Sequence, residues 1–106
     1  MLKAMFFVHR RSDLSGDAFR RHCREVHAPL IARLPGLRRY VLDFTVSDPG
    51  GPAPFCDGVA ELWFDDAEAL HEALSSAAGA AVLADQSSFL DAPRSQMIMV
   101  EELSPM

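Results

Sequence analysis

The chain has 106 residues, 49% of them hydrophobic, and carries 15 acidic against 10 basic side chains for a net charge of −5. That length suits one domain, here taken as residues 1–106, and the hydrophobic share excludes a disordered chain. The acidic balance argues against nucleic acid as a partner, although arginines cluster between Arg10 and Arg39, and no apolar run approaches the ~20 residues of a membrane span.

Residues 1–8 are apolar except for Lys3, but the run is short and Arg10 and Arg11 follow closely, so it reads as a strand rather than a signal peptide. The first strand is expected over residues 2–10, ending at the turn signal Ser12-Asp13. Ser15 stands where a helix N-cap belongs, with Asp17 in the first turn to suit the helix dipole. Phe19, Cys23, Val26 and Leu30 then recur at steps of three or four and predict one buried stripe. Pro29 should end or bend this helix near His27-Ala28, and Pro35-Gly36 closes the segment.

Residues 37–47 alternate as a long strand, with Tyr40, Leu42, Phe44 and Val46 on one face and Arg39, Val41, Asp43 and Thr45 on the other. A Pro/Gly-rich loop over residues 48–54 separates it from a third strand over 56–64. In that strand Gly58, Ala60, Leu62 and Phe64 share one face, and Asp57, Val59, Glu61 and Trp63 the other. Asp65 followed by Glu68 is a capping-box variant that opens a second helix with Leu70 and Leu74 inward. The alanine-rich stretch 77–84, interrupted by Gly79, adds a separate turn or helix, and residues 95–101 form a fourth strand. The order β-α-β-β-α-β predicts an α+β, ferredoxin-like fold: a four-stranded antiparallel sheet with its helices on one face.

Such a sheet leaves its other face bare. Val59, Trp63 and Val41 belong there, with Met97 and Met99 assigned to it from strand four. Apolar surface of that extent rarely stays in water, so a homodimer is expected, sheet against sheet. The cavity enclosed between the two sheets would be apolar, interrupted by Glu61, Asp57 and Arg39, which is the composition of a small-molecule pocket. Cys23 and Cys56 lie in different elements without CxxC spacing, which suits reduced thiols in a cytoplasmic protein.

Four stretches carry a resemblance to a known family: Leu14-Ser15; Val26-His27-Ala28-Pro29-Leu30; residues 34–41, Leu-Pro-Gly-Leu-Arg-Arg-Tyr-Val; and residues 57–64, Asp-Gly-Val-Ala-Glu-Leu-Trp-Phe. In order and spacing the chain resembles the EthD family of dimeric α+β-barrel proteins over essentially its full length. The resemblance implies a dimeric α+β barrel. It also implies kinship with polyketide cyclases, cofactor-free anthrone-type oxygenases, muconolactone-type isomerases and haem enzymes, a range that fixes the fold far better than the reaction. His9 stands where the family often carries lysine, so no role is carried to that position.

His27 is the first candidate for chemistry. A half-sheltered imidazole can move protons on a substrate, or it can simply favour a helix C-terminus. Tyr40 could donate a hydrogen bond to an enolate or carbonyl oxygen, or pack in the core with Leu42 and Phe44. Glu61, enclosed beside Val59 and Trp63, would have a raised pKa and could act as a base; the alternative is a salt bridge to Arg39 or another arginine. The same alternatives apply to Asp57, with the salt bridge favoured. Trp63 would wall a flat substrate or anchor an interface. His22, five residues from His27 and so about 140° away on an α-helix, is placed opposite it and half-exposed. Cys23 in the core stripe should be inert, and Cys56 beside the loop more exposed.

No metal-ligand spacing appears, no glycine-rich phosphate motif follows a strand, and no cofactor is expected. The functional expectation is a cofactor-independent enzyme that cyclises, isomerises or oxygenates a small hydrophobic substrate by proton transfer. His27 would be the base or acid and Tyr40 the oxyanion partner, with Glu61, Trp63, Arg39, Asp57 and Val59 lining the pocket. A non-catalytic small-molecule-binding or accessory protein, and a filled dimer seam without a cavity, are the alternatives.

Overall fold

A computed structural model describes residues 1–106. The strands are β1 (Leu2–Val8), β2 (Arg39–Phe44), β3 (Gly58–Phe64) and β4 (Gln96–Glu101). They form one sheet in the order β2-β3-β1-β4, and every neighbouring pair is antiparallel. The helices are α1 (Gly16–His22), α2 (Ala28–Ile31), α3 (Ala67–Ser75) and α4 (Ala77–Gln86); a π-helical turn over Cys23–His27 joins α1 to α2. The predicted α+β plan therefore stands, with each strand a few residues shorter than its apolar run. No helix is long and apolar enough to cross a membrane.

Register decides which side chains can meet. Ala4 faces Leu62 on β3 and Met99 on β4; Tyr40 faces Leu62, and Leu42 faces Ala60. These residues share the helix-covered side with Phe6, Val8, Phe44 and Phe64. The odd-numbered positions of β1 to β3 (Lys3, Met5, Phe7, Arg39, Val41, Asp43, Val59, Glu61 and Trp63) share the open side. Met97 and Met99, expected on the open side, are instead on the helix side, because they pair opposite Phe6 and Ala4. Ile98 and Val100 take the open side instead. A register set by one strand's partner flips every side chain of the other, and the Met-Ile-Met-Val run of β4 gives no alternation from which to read it.

The first helical segment differs from its predicted stripe for a definite reason. Pro29 has no N–H, and its ring would collide with the carbonyl of Glu25, four residues back. The helix does not stop: it widens, Ala28 N–H donates to the Cys23 carbonyl in an i→i+5 bond, and Pro29 falls in the first turn of α2. The inward positions become Phe19, Cys23, His27 and Ile31, steps of four, while Val26 turns outward with 43% of its surface exposed.

Capping fixes the other helices. Asp66, not Asp65, caps α3 by accepting from Ala69 N–H at 2.8 Å, while Asp65 pairs with Arg38 at 2.9 Å. Ser76 caps α4, accepting from Gly79 N–H at 3.1 Å. Gly79 does not interrupt this helix. A Cβ there would lie 2.3 Å from the Leu74 carbonyl oxygen, so glycine lets α4 start against the end of α3. Leu62, Phe64 and Leu70 fill the centre of the core, and Phe89 closes a second cluster with Phe19 and Cys23. Cys56 is buried as well, contrary to its expected exposure beside the loop.

Candidate functional site

The π turn places two histidines side by side. On a regular helix residues five apart diverge; an i→i+5 turn aligns them, so His22 and His27 both reach Asp85 near the end of α4. His22 Nε2–H donates to both Asp85 oxygens at 2.9 and 3.1 Å, and His27 Nδ1–H donates to Oδ2 at 2.8 Å. Both rings rest on Phe89, each with its centroid 4.6 Å from that of the phenyl. His22 is therefore beside His27 rather than opposite it.

The electrostatics of the cluster set its protons. Burial alone would raise the Asp85 carboxyl, but hydrogen bonds from His22 and His27 outweigh it and hold its pKa below the usual carboxylate range. An ionised carboxylate can only accept, so His27 carries its neutral-state proton on Nδ1 and presents a lone pair on Nε2. Burial lowers the His27 pKa below 6.5, partly opposed by Asp85, which favours the neutral, basic ring near pH 7. His27 Nε2 has no hydrogen-bond partner in the chain and is not sealed from solvent.

His27 lines a narrow cavity of about 60 Å³ between the sheet and the helices, and 14 of its 16 lining residues are hydrophobic. Tyr40 lines the same cavity from β2, across from the helices. Burial pushes its phenol up to about 12, so the hydroxyl stays a protonated donor, and it too lacks a partner within the chain. The expected choice between pocket and core for Tyr40 dissolves, because the cavity is on the core side. Cys23 also lines it, but burial raises its thiol to about 11 and leaves it an inert wall, as its stripe position implied.

The remaining predicted site residues are on the opposite face of the sheet and do not join His27 and Tyr40. Glu61 accepts from Lys3 Nζ at 3.0 Å, not from Arg39. Interaction with Asp43 first, and then with Lys3, lowers its pKa, so it is not the raised-pKa base that enclosure alone would make. Trp63 is buried within the chain itself: Arg39 and Lys3 cover its ring at 4.7 and 5.2 Å, and its Nε1–H donates to Glu102. Val59 shares this face, half-buried. Asp57 stands at the loop end of β3 and accepts from Arg10 N–H at 2.8 Å, the salt-bridging role favoured for it, with Arg10 as the partner. No group of three or more His, Cys, Asp or Glu side chains is arranged to hold a metal ion.

Asp85 and Gln86 went unnoticed in the sequence. The Asp85–His27 pairing spans 58 residues, and nothing in the alanine-rich context of α4 announces it. The five-residue His22–His27 spacing followed by Pro29 was the one available signal, readable only by asking what a proline does to the turn before it.

The architecture and the helix-side cavity define an α+β protein of ferredoxin-like plan with an apolar small-molecule-sized recess. A family model for the EthD domain matches residues 11–93, and the chain belongs to the EthD family. It is similar to the structure of an ethyl tert-butyl ether D (EthD) family protein from Bacillus halodurans, with 26% identity, 97% of this chain and 100% of that one covered, and a TM-score of 0.81. A dimeric ferredoxin-like protein of unknown function from Bacteroides fragilis shares the fold at 12% identity, 95% coverage of both chains and a TM-score of 0.71. A putative antibiotic biosynthesis monooxygenase from Nitrosomonas europaea does so at 16% identity, 98% and 100% coverage and a TM-score of 0.67. No curated protein matches the sequence at a significant level.

Proposed function

We propose that the chain is a cofactor-independent enzyme that moves a proton on a small hydrophobic substrate held between the sheet and the helices. His27 Nε2 takes a proton from an acidic C–H or phenolic O–H, and Asp85 steadies the imidazolium that forms. Tyr40 O–H donates to the oxygen where negative charge collects. Return of the proton at another atom completes an isomerisation or cyclisation, and an electron-rich anion left in place is the species that simple oxygenation by dioxygen requires.

The observation that carries this reading is the hydrogen bond His27 Nδ1–H donates to Asp85, which leaves the Nε2 lone pair without a protein partner on a residue that lines the apolar cavity. The monooxygenase name of one structural neighbour is in keeping with such chemistry but belongs to that protein.

The open side, half-buried at Met5, Phe7, Val41 and Val59 and exposed at Ile98, is proposed as the seam of a homodimer; one structural neighbour is described as dimeric. Binding without turnover, in an accessory role, fits the same cavity. The test is a panel of aromatic ketones, phenols and lactones offered to the wild type and to His27→Ala, following product formation and binding separately. Turnover lost in the variant with binding kept supports the enzyme. Saturable binding without product in the wild type leaves the accessory role, and full activity of the variant ends the proposal.

A further inference from the structure

A second cavity, of about 170 Å³, adjoins the first. The two share four walls, Phe6, Val8, Gln86 and Leu90, so an inner chamber at His27 and an outer one lie side by side along β1 beneath the end of α4. The inner chamber, at roughly 10–15 Å³ of such space per water-sized group, holds on the order of five groups, about one six-membered ring. The outer chamber is larger and reaches the surface at Ala92, Gln96 and Met97, all exposed. It opens there because α4 ends at Gln86 and no helix covers β4, which leaves the helix-side Met97 and Met99 39% and 47% exposed.

Gln86 stands at the junction. Its side chain borders both chambers and makes no hydrogen bond within the chain, whereas Ser95, the other half-buried polar wall of the outer chamber, is occupied with the Asp91 carbonyl and the His9 N–H. The carboxamide is half-buried and still reached by solvent, so it is free to exchange a water contact for a ligand oxygen between these largely apolar walls.

We infer that the recess is a two-chamber site for an elongated, mostly apolar molecule. One ring or short chain sits beside His27, a carbonyl or hydroxyl at its middle meets the Gln86 carboxamide, and an alkyl or second-ring extension fills the outer chamber against Met97. Gln86 and Met97 thereby set which length and which oxygen position are accepted. This inference rests on the proposed function in taking the His27 cavity as the ligand site.

The test uses three probes: phenol, 4-heptylphenol and 1-(4-hydroxyphenyl)heptan-1-one, which places a ketone between ring and chain. Binding is followed by calorimetry and by the NMR signals of the His27 ring. The expected result is at least tenfold tighter binding of 4-heptylphenol than of phenol, with a further several-fold gain for the ketone. Met97→Trp should weaken both long probes at least tenfold and leave phenol within about twofold. Gln86→Leu should erase the gain of the ketone over 4-heptylphenol without weakening the latter. Ala92→Leu narrows the same mouth from another side and serves if Met97→Trp fails to fold. Phenol that perturbs His27, together with no gain from length or an equal loss of all three probes in Met97→Trp, overturns the two-chamber site and spares the proposed function. Failure of every probe to perturb His27 overturns both.

Discussion

The two sides of this sheet are built from the same alternating strands, yet their polar groups are in opposite states. On the open side the half-buried polar groups meet neighbours: Glu61 holds Lys3, Trp63 holds Glu102, and Arg39 covers the Trp63 ring. On the helix side the polar groups are few, and His27 Nε2, the Tyr40 hydroxyl and the Gln86 carboxamide are half-buried cavity-wall groups without a partner in the chain, none of them sealed from solvent. A satisfied polar group stabilises and shapes a surface; an unsatisfied one in an apolar recess is available to a ligand. The contrast suits the two proposals, a seam on the open side and chemistry on the helix side. It also places His27 and Tyr40 at a cavity within the chain rather than on the open side, where the pocket was expected.

The contrast breaks most visibly at Asp85. Asp85→Asn removes the anion that fixes the His27 tautomer and steadies its protonated form, so turnover of any substrate found should fall on the order of 10²–10⁴-fold. Because Asp85 acts through His27, the loss should be in kcat rather than KM, and Asp85→Glu should restore part of it. The same change disturbs a half-buried hydrogen-bond network at a cost of about 1–3 kcal/mol, read as a lower Tm. A variant with wild-type kcat would reduce the cluster to a tie between helices.

The open side offers the next largest effect. Val41→Asp or Val59→Asp puts an extra carboxylate among Asp43 and Glu61 at the proposed seam. Sedimentation should then show the dimer Kd raised at least 100-fold, about 2.7 kcal/mol. The NMR signals of the His27 ring should stay where they are, since the sheet backbone separates the two sites. Signals that move as far as they do on ligand binding would show that the faces are coupled. A smaller effect comes from Lys3→Met. After Asp43, Lys3 is what holds the Glu61 pKa down, and it offsets part of the rise that Glu61 and burial impose on Asp43, so carboxyl NMR titrations should show both rise. Stability in the monomer should change by no more than about 1 kcal/mol.

How much of this was written in the sequence depends on range. Local signals held: the Ser15 cap, the strand parity around Tyr40 and Trp63, and the β-α-β-β-α-β order all follow from neighbours a few residues apart. Two intermediate signals fell short. Pro29 predicts an end or a bend near His27-Ala28 but not which, and the π turn that relieves its clash decides which of Val26 and His27 faces inward. The β4 run of Met97 to Val100 is apolar at every position, so only its pairing with β1 could reveal its faces. The long-range partners, Asp85 to both histidines and Gln86 to the cavity, leave no pattern in one chain. Helix α4 must first be docked against the π turn before either residue has a role.

The smallest effect tests the electrostatic side of the comparison directly. Burial holds His27 below its unfolded pKa of about 6.5. Between the two values the unfolded chain carries the proton and the folded chain does not, so ν exceeds in the unfolded state and stability rises with pH across that window. Thermal melts should therefore lose Tm as pH is lowered from 7.5 through 6.5, and level off below the folded pKa of His27. His27→Asn should flatten that part of the profile. Asp85 acts in a lower window: its depressed pKa contributes stability that is present above about pH 4 and lost as pH falls through its folded value. A wild-type Tm that instead climbs between pH 7.5 and 6, with the climb removed by His27→Asn, would mean that the Asp85 carboxylate outweighs burial. His27 would then rest as an imidazolium, with no lone pair to offer as a base.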